Sequence, residues 1–486
     1  MHIVDYLIFA GYLLLMLLIG FYFMRKNKTV DDYFVGGRNM SHWHIGLSVV
    51  ATDVGGGFSI GLGGLGFVMG LSGSWLLFTG LVGAWLSGVL VIPLLSKLSK
   101  KHNLLSFPQF LEIKYNKRVS LIAGIVSAIG YLGFTSSQLL AGAKMASTII
   151  DGLNLNWALM IMGFVAVVYT FAGGMKAVIY TDTLQWIVLL SGLIFIGIPF
   201  CYVELGSISH IQTVLPAQFF TLSNVSWQQL VNWGVTIIPI WFIGMTLYQR
   251  IYASKDKKTA QKAWFIAGLF EYPIMAFTGV LLGLYARVAF MEGYFPAYSS
   301  IASFDPEIGV PLLLKTILPI GFTGILLSVY FSAIMSTADS CLMASSGNFQ
   351  TDIFRVNPKH SKAIRFSQLS TLAIGAVAVF IALRIPNVLE LMLLSYAFMV
   401  SGLLVPVLAA LFLKKLNSTA ALLSMIAGGG TTLLLIIMKV ALPFGLNENI
   451  FGLSASLIVF VVVSLLGKTT FHGKERIKRF FGKYMT

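Results

Sequence analysis

Charged residues are scarce in this chain. Asp, Glu, Lys and Arg make up only 10% of the 486 residues, and 57% are hydrophobic. A soluble domain has about 25% charged residues, so this chain cannot cover a water-facing surface and is not a soluble globular protein. The two cysteines, Cys201 and Cys341, lie in apolar runs, which excludes a disulfide framework. No His/Cys cluster has metal-ligand spacing, which argues against a transition-metal site.

Long apolar runs occupy most of the sequence. Each has roughly 20 residues, enough to cross about 30 Å of hydrocarbon. The first run, 5–23, is followed and not preceded by basic residues, which predicts a permanent span and not a cleaved signal. The sequence therefore predicts an all-α integral membrane protein of about 13 transmembrane helices. The candidate spans lie near 5–23, 45–69, 75–96, 119–149, 156–172, 179–203, 231–250, 263–288, 319–345, 365–384, 387–412, 418–439 and 450–467.

The basic residues predict the orientation of these spans. Lys and Arg concentrate in alternate connections, one of which begins at Arg250 and ends at Lys262. Of the 33 Lys and Arg residues, all but five fall on one side, the exceptions being Lys144, Arg287, Lys315, Arg384 and Lys439. The positive-inside rule then places the N-terminus outside and the C-terminus in the cytoplasm of a plasma (bacterial inner) membrane. The net charge of +15 is thus explained by membrane lipid and indicates no nucleic-acid partner.

Two spans contain residues that interrupt helices. Span two holds three consecutive glycines, Gly55–Gly57, and each weakens a helix by about 1 kcal/mol relative to alanine. Span seven holds Pro239 and Gly244. Breaks in spans that are five apart are expected of an inverted five-helix repeat with a binding site between its halves. The alternative is a close helix–helix crossing, but the neighbouring Asp53 favours a site.

A few charged side chains lie inside the spans. A buried acid is costly in a membrane, so it is a functional candidate by default. Asp182 could instead complement a helix dipole, and Glu271 and Lys144 could be structural partners of other polar groups. The acids concerned are Asp53, Asp182, Glu271, Asp339 and Glu390.

Span nine carries the densest group of oxygen-bearing side chains. Ser336, Asp339 and Ser340 share one helical face through their spacing, with Thr337 beside them and Ala333 one turn earlier. Such hard oxygen donors suit a small hard cation. The alternative, in which each hydroxyl bonds back to its own helix, is weaker for a cluster around an acid. No nucleophile–base pair or metal set lies within the spans, so an enzyme is not expected.

Taken together, the motifs resemble those of the sodium/solute symporter family, whose members include sodium/proline and choline transporters. The matching stretches are Asp32-Tyr-Phe-Val-Gly-Gly-Arg38, Leu47-Ser-Val-Val-Ala-Thr-Asp-Val, Tyr169-Thr-Phe-Ala-Gly-Gly, Tyr180-Thr-Asp-Thr-Leu-Gln and Ala333-Ile-Met-Ser-Thr-Ala-Asp-Ser. The resemblance implies a LeuT-like inverted-repeat core and sodium-driven symport of a small solute by alternating access. It implies one transporter domain over 1–486, divided into an extra N-terminal helix at 5–23, a core at 45–412, two C-terminal helices at 418–467 and a basic cytoplasmic tail at 468–486.

The same resemblance implies a sodium site between spans two and nine. Its ligands here would be the carbonyl groups of Ala51, Val54 and Ala333 and the hydroxyl groups of Ser336 and Thr337. Some family members bind a second sodium ion, for which the matching residues are Asp182, Ser336, Asp339 and Ser340. Because Asp339 stands where several members have serine, the second ion stays an open question.

For the solute, the resemblance favours a small amino acid or amine. Asp53 matches an acid of the sodium/proline members, where a carboxylate can attract an amino group. The candidate pocket residues, each of which could equally be ordinary packing, are Asp53, Gly55, Gly56, Phe58, Gln138, Trp241, Phe242 and Met245. Three alternatives stay open: a proton-coupled transporter, a sugar or carboxylate symporter of the same fold, and a transporter-like solute sensor. The sequence does not reveal the oligomeric state or the sodium stoichiometry.

Overall fold

The computed structural model describes residues 2–25, 34–298, 300–357 and 362–467. The predicted tail at 468–486 and the first two residues of the motif at 32–38 lie outside this part.

Asparagine or serine begins several of the helices by accepting hydrogen bonds from their free amides, as Asn116 and Asn154 do. The α-helices are α1 (Ile3–Met24), α2 (His42–Met69), α3 (Trp75–Leu90), α4 (Ile92–His102), α5 (Phe107–Lys114), α6 (Lys117–Ile149), α7 (Leu155–Gly192), α8 (Ile198–Leu205), α9 (Ile208–Val214), α10 (Trp227–Ile243), α11 (Met245–Ala253), α12 (Lys257–Leu269), α13 (Ala276–Met291), α14 (Gly309–Ile317), α15 (Phe322–Asn348), α16 (Ala363–Ala382), α17 (Val388–Phe412), α18 (Ser418–Met438) and α19 (Glu448–Leu466).

The fold is all-α, as predicted. Within the described ranges there is no β-strand, only one isolated bridge between Met40 and Ser254. Eleven helical stretches there are long and apolar enough to cross a membrane, and a shorter apolar helix covers Leu155–Phe171. The count of about 13 transmembrane helices therefore stays a prediction.

Two of the long helices are interrupted at a glycine. Gly55 in α2 has φ 27° and ψ −163°, and Gly174 in α7 has φ 62° and ψ −177°. Side chains other than hydrogen rarely tolerate such positive φ values, so glycine permits the chain to change direction there. Span seven is also broken as predicted, because α10 ends at Ile243 and an extended Gly244 precedes α11.

Helix α15 lies at the centre of the molecule. It packs against α2, α6 and α7, and 94% of its most apolar stretch is buried, against 22% for α1 and α19. The peripheral α1 is nevertheless tied to α15, because Asp5 Oδ1 accepts hydrogen bonds of 2.8 Å from the amides of Gly321 and Gly324. These amides belong to the start of α15, where a helix has no internal acceptors for its N–H groups.

Candidate ion and solute site

The break in α2 meets the middle of α15 at a cluster of neutral oxygen atoms. Ser336 Oγ donates to the carbonyl oxygens of Ala51 at 3.2 Å and Ala333 at 2.9 Å. Thr337 Oγ1 donates to the same oxygens at 3.0 and 3.5 Å. Both hydroxyl-bearing residues are fully buried. The structure thus brings together four of the five residues predicted to bind sodium, and the fifth, Val54, is buried in the same turn of α2.

Glycine at position 55 permits the close approach of these helices. A Cβ atom there would lie 2.2 Å from Thr337 Oγ1 and 2.8 Å from Gln138 Oε1. The next residue, Gly56, donates its freed amide to Gln138 Oε1 at 2.7 Å. Three of the predicted solute residues, Gly55, Gly56 and Gln138, therefore meet at the break.

This arrangement suits an alkali-metal cation chemically. Carbonyl and hydroxyl oxygens supply partial negative charge without having to ionise, and carbonyls at interrupted helices bind sodium in transporters of this architecture. The same atoms are poor ligands for soft transition metals. Among the described residues, no group of three or more His, Cys, Asp or Glu residues could hold such a metal.

A second polar cluster surrounds Arg250 in α11. Its Nη2 donates to Asp182 Oδ2 at 3.0 Å and Ser340 Oγ at 2.8 Å, and also to Thr52. Its Nε donates to Ser48 Oγ at 2.9 Å. Arg250 and Asp182 are both fully buried. The guanidinium group thus joins α2, α7 and α15 to α11.

The position of Arg250 differs from the predicted one. The sequence predicts Arg250 in a cytoplasmic connection, but the residue lies inside a helix that ends only at Ala253. The apolar neighbours Ile251 and Tyr252 separate it from the lysine-rich segment and are the signal that could have placed it inside. This cluster also engages two residues of the predicted second sodium set, Asp182 and Ser340.

A third polar contact, after the neutral cluster and the Arg250 cluster, is made by Asp339. Its Oδ1 accepts a hydrogen bond of 2.6 Å from Thr170 Oγ1 in α7, and its Oδ2 has no donor within the described part of the chain. The residues predicted for a second sodium ion are therefore divided among three neighbouring clusters: Ser336 is in the neutral one, Asp182 and Ser340 are with Arg250, and Asp339 is with Thr170.

A pair of acids lies beside the α2 break. The carboxyl groups of Asp53 and Glu271 lie side by side. Glu271 belongs to the irregular turn Phe270–Met275 between α12 and α13 and is fully buried, while Asp53 is 6% exposed. The sequence predicts no role for Glu271, because nothing along the chain connects this residue with Asp53.

The remaining predicted solute residues, Phe58, Trp241, Phe242 and Met245, do not form one cluster. Trp241 is buried, and its Nε1 has no acceptor among the described residues. Met245 accepts a 3.1 Å hydrogen bond from the Phe107 amide, so the structure places its sulfur against α5. Phe242 is buried, and the side chain of Phe58 lies outside the described part of the structure.

Comparisons with known proteins agree with this architecture. The high-affinity proline transporter PutP of Bacillus subtilis is 30% identical over 93% of this chain and 96% of its own length. A sodium/proline symporter of Staphylococcus aureus is 27% identical over 96% of this chain and 93% of its own length. The substrate-bound outward-open structure of a Na⁺-coupled sialic acid symporter superposes with a TM-score of 0.80 at 23% identity, covering 96% of this chain and 98% of that one.

The family prediction is confirmed by these matches. Residues 33–428 match the sodium:solute symporter family. The predictions of sodium as the coupling ion, and of a transporter and not an enzyme, are confirmed with it. The chain belongs to the sodium:solute symporter family and is a multi-pass membrane protein that couples the symport of a small solute to sodium.

Proposed function

We propose that this protein takes up a small amino acid or amine together with sodium, and that the sodium ion binds between the α2 break and α15. The observation that carries the assignment is the convergence of the Ala51 and Ala333 carbonyls with the Ser336 and Thr337 hydroxyls. The buried Asp53 beside the break supports a solute with an amino group. The relatives named as proline transporters support the same solute class.

The proposed cycle follows from the position of the ion. Sodium bridges α2 and α15 and stabilises an outward-open form in which the pocket for the solute is ordered. Solute and sodium affinities are then coupled reciprocally, typically by about 1–3 kcal/mol. Opening towards the cytoplasm separates the two helices and releases both ligands. The proposal includes a bacterial inner membrane with the N-terminus outside, on the basis of the basic connections.

Uptake into proteoliposomes tests the proposed function. The purified full chain is supplied with amino acids, amines, sugars and carboxylates, with and without a sodium gradient. We expect sodium-dependent accumulation of a solute that bears an amino group. Accumulation of sugars or carboxylates alone, or uptake driven by a pH gradient without sodium, would contradict the proposal.

Substitution of the two hydroxyl residues tests the ion site. In the double variant Ser336→Ala/Thr337→Ala, we expect the sodium concentration for half-maximal uptake to rise about 100-fold, since each lost ligand contributes about 1.4 kcal/mol. Ser328→Ala is the matched control, because Ser328 bonds to the Gly324 carbonyl of its own helix. An unchanged sodium requirement in the double variant would refute the assigned site.

A further inference from the structure

Among the residues that the structure describes, the Asp53–Glu271 pair lacks a positively charged partner. Within the described part of the chain, no Lys, Arg or His forms an ion pair with either acid. No described residue donates a hydrogen bond to Asp53 Oδ2 or, Asp53 itself aside, to either oxygen of Glu271. Buried polar groups in proteins are normally hydrogen-bonded, and these three oxygen atoms have only each other as described partners, so together they point to a ligand.

Other buried acids of this protein do have donors. Asp182 is paired with Arg250, and Glu307 with Lys144 at 2.7 Å. Asp5 accepts hydrogen bonds from two backbone amides, and Asp352 accepts hydrogen bonds from the hydroxyl groups of Ser106 and Thr351. The pair differs because two like groups in contact repel each other when both are ionised, and the low dielectric of the interior strengthens that repulsion. A bound cation would compensate the negative charges of both acids at once.

Two glycines of the neighbouring helix α3 leave room for Glu271 and Trp241. A Cβ atom at Gly80 in α3 would lie 2.8 Å from Glu271 Oε1, and one at Gly83 would lie 2.4 Å from Trp241 Cδ1. These glycines are three residues apart and share one face of the helix, so they place the carboxyl group and the indole ring next to each other. Aromatic rings attract ammonium groups.

We propose that Glu271 joins Asp53 in binding the solute through positively charged amino groups, and that the protein prefers solutes of net positive charge to zwitterions such as proline. This inference rests on the proposed function and narrows its substrate class. A zwitterion brings one positive and one negative charge to a site with two acids. A diamine or a basic amino acid matches the two acids better.

Ligand-induced thermal stabilisation of the purified full chain in sodium tests this preference. The probes are 1,4-diaminobutane, lysine and proline. We expect both cationic probes to bind at least tenfold more tightly than proline. In Glu271→Gln, that preference falls at least tenfold while the sodium dependence is retained. Glu390→Gln, which removes an exposed acid in α17, is the matched control and keeps the wild-type preference.

Two results would overturn the inference. One is tighter binding of proline than of the cationic probes to the wild-type chain, a measurement that needs no variant to fold. The other is an unchanged preference in a folded Glu271→Gln variant. Sodium-dependent uptake of proline without uptake of cationic amines would reject only this inference. A lack of sodium-dependent uptake for every amino solute would reject the proposed function itself.

Discussion

Thr52 and Asp53 are neighbours in α2, yet they belong to clusters of opposite electrostatic character. Thr52 joins Arg250 and Asp182, where a cation and an anion compensate each other. Asp53 joins Glu271, and neither acid has a cationic partner in the part of the chain that the structure describes. Successive residues of a helix point about 100° apart, so one turn can supply both clusters. The difference indicates that the compensated cluster holds helices together, whereas the uncompensated one binds a ligand.

Removal of the arginine should have the largest effect. Arg250→Met leaves Asp182 buried without its cation, and such a loss costs about 3–5 kcal/mol. We expect a large decrease in the thermal unfolding temperature of the purified chain. The double variant Arg250→Met/Asp182→Asn should recover part of this loss, because it removes the uncompensated charge. Equal stability of the single variant and the wild type would contradict a structural role for this cluster.

Alteration of the α2 break should be next in effect. Gly55→Ala forces a side chain into a positive φ at a cost of about 1–3 kcal/mol and pushes Thr337 away from the Ala51 carbonyl. We expect the rate of sodium-driven uptake to fall at least tenfold. Gly430→Ala is the control, since a Cβ atom there has no neighbour within 4 Å. Wild-type uptake by Gly55→Ala would show that the break is not needed for ion binding.

A third charged cluster gives an intermediate case. Lys144 binds Asp305 at 2.6 Å and Glu307 at 2.7 Å, and the side chain of Asp305 is 38% exposed. Because water screens part of this cluster, Lys144→Met should cost about 1–2 kcal/mol, less than Arg250→Met. Thermal unfolding of the two variants in the same detergent gives the comparison. A larger loss for Lys144→Met would reverse the expected order.

The smallest change is expected at the uncompensated pair. Without solute, Glu271→Gln should alter the free energy of unfolding by less than about 1 kcal/mol, because it removes an acid that has no cationic partner among the described residues. The measurement is thermal unfolding in sodium without any amine. A loss as large as that of Arg250→Met would mean that Glu271 supports the fold and not the solute.

The features that the sequence predicted are local ones. Gly55 interrupts α2 through its own backbone freedom, and Pro239 and Gly244 lie at the break in span seven, so the residue types at these positions reveal both breaks. The shared face of Ser336 and Ser340 follows from the helical period alone. The family follows from motifs of a few consecutive residues each.

The features that it missed depend on contacts between distant segments. Arg250 stands only a few residues from a basic connection, and what turns it inward is an acid 68 positions earlier in the chain. Glu271 is an isolated acid until α2 brings Asp53 beside it. A hydrophobic period shows which face of a helix is buried, but it does not show which helix covers that face.

The attachment of Asp5 to the start of α15 has a consequence for the surrounding lipid. Helix α15 carries Ser336 and Thr337, and it cannot tilt without moving α1 or breaking two hydrogen bonds. On its outer surface α1 exposes Leu7, Leu14 and Leu18. A tilt of α15 that carried α1 along would displace acyl chains at the rim of the protein, which would make the speed of the transport cycle sensitive to membrane viscosity.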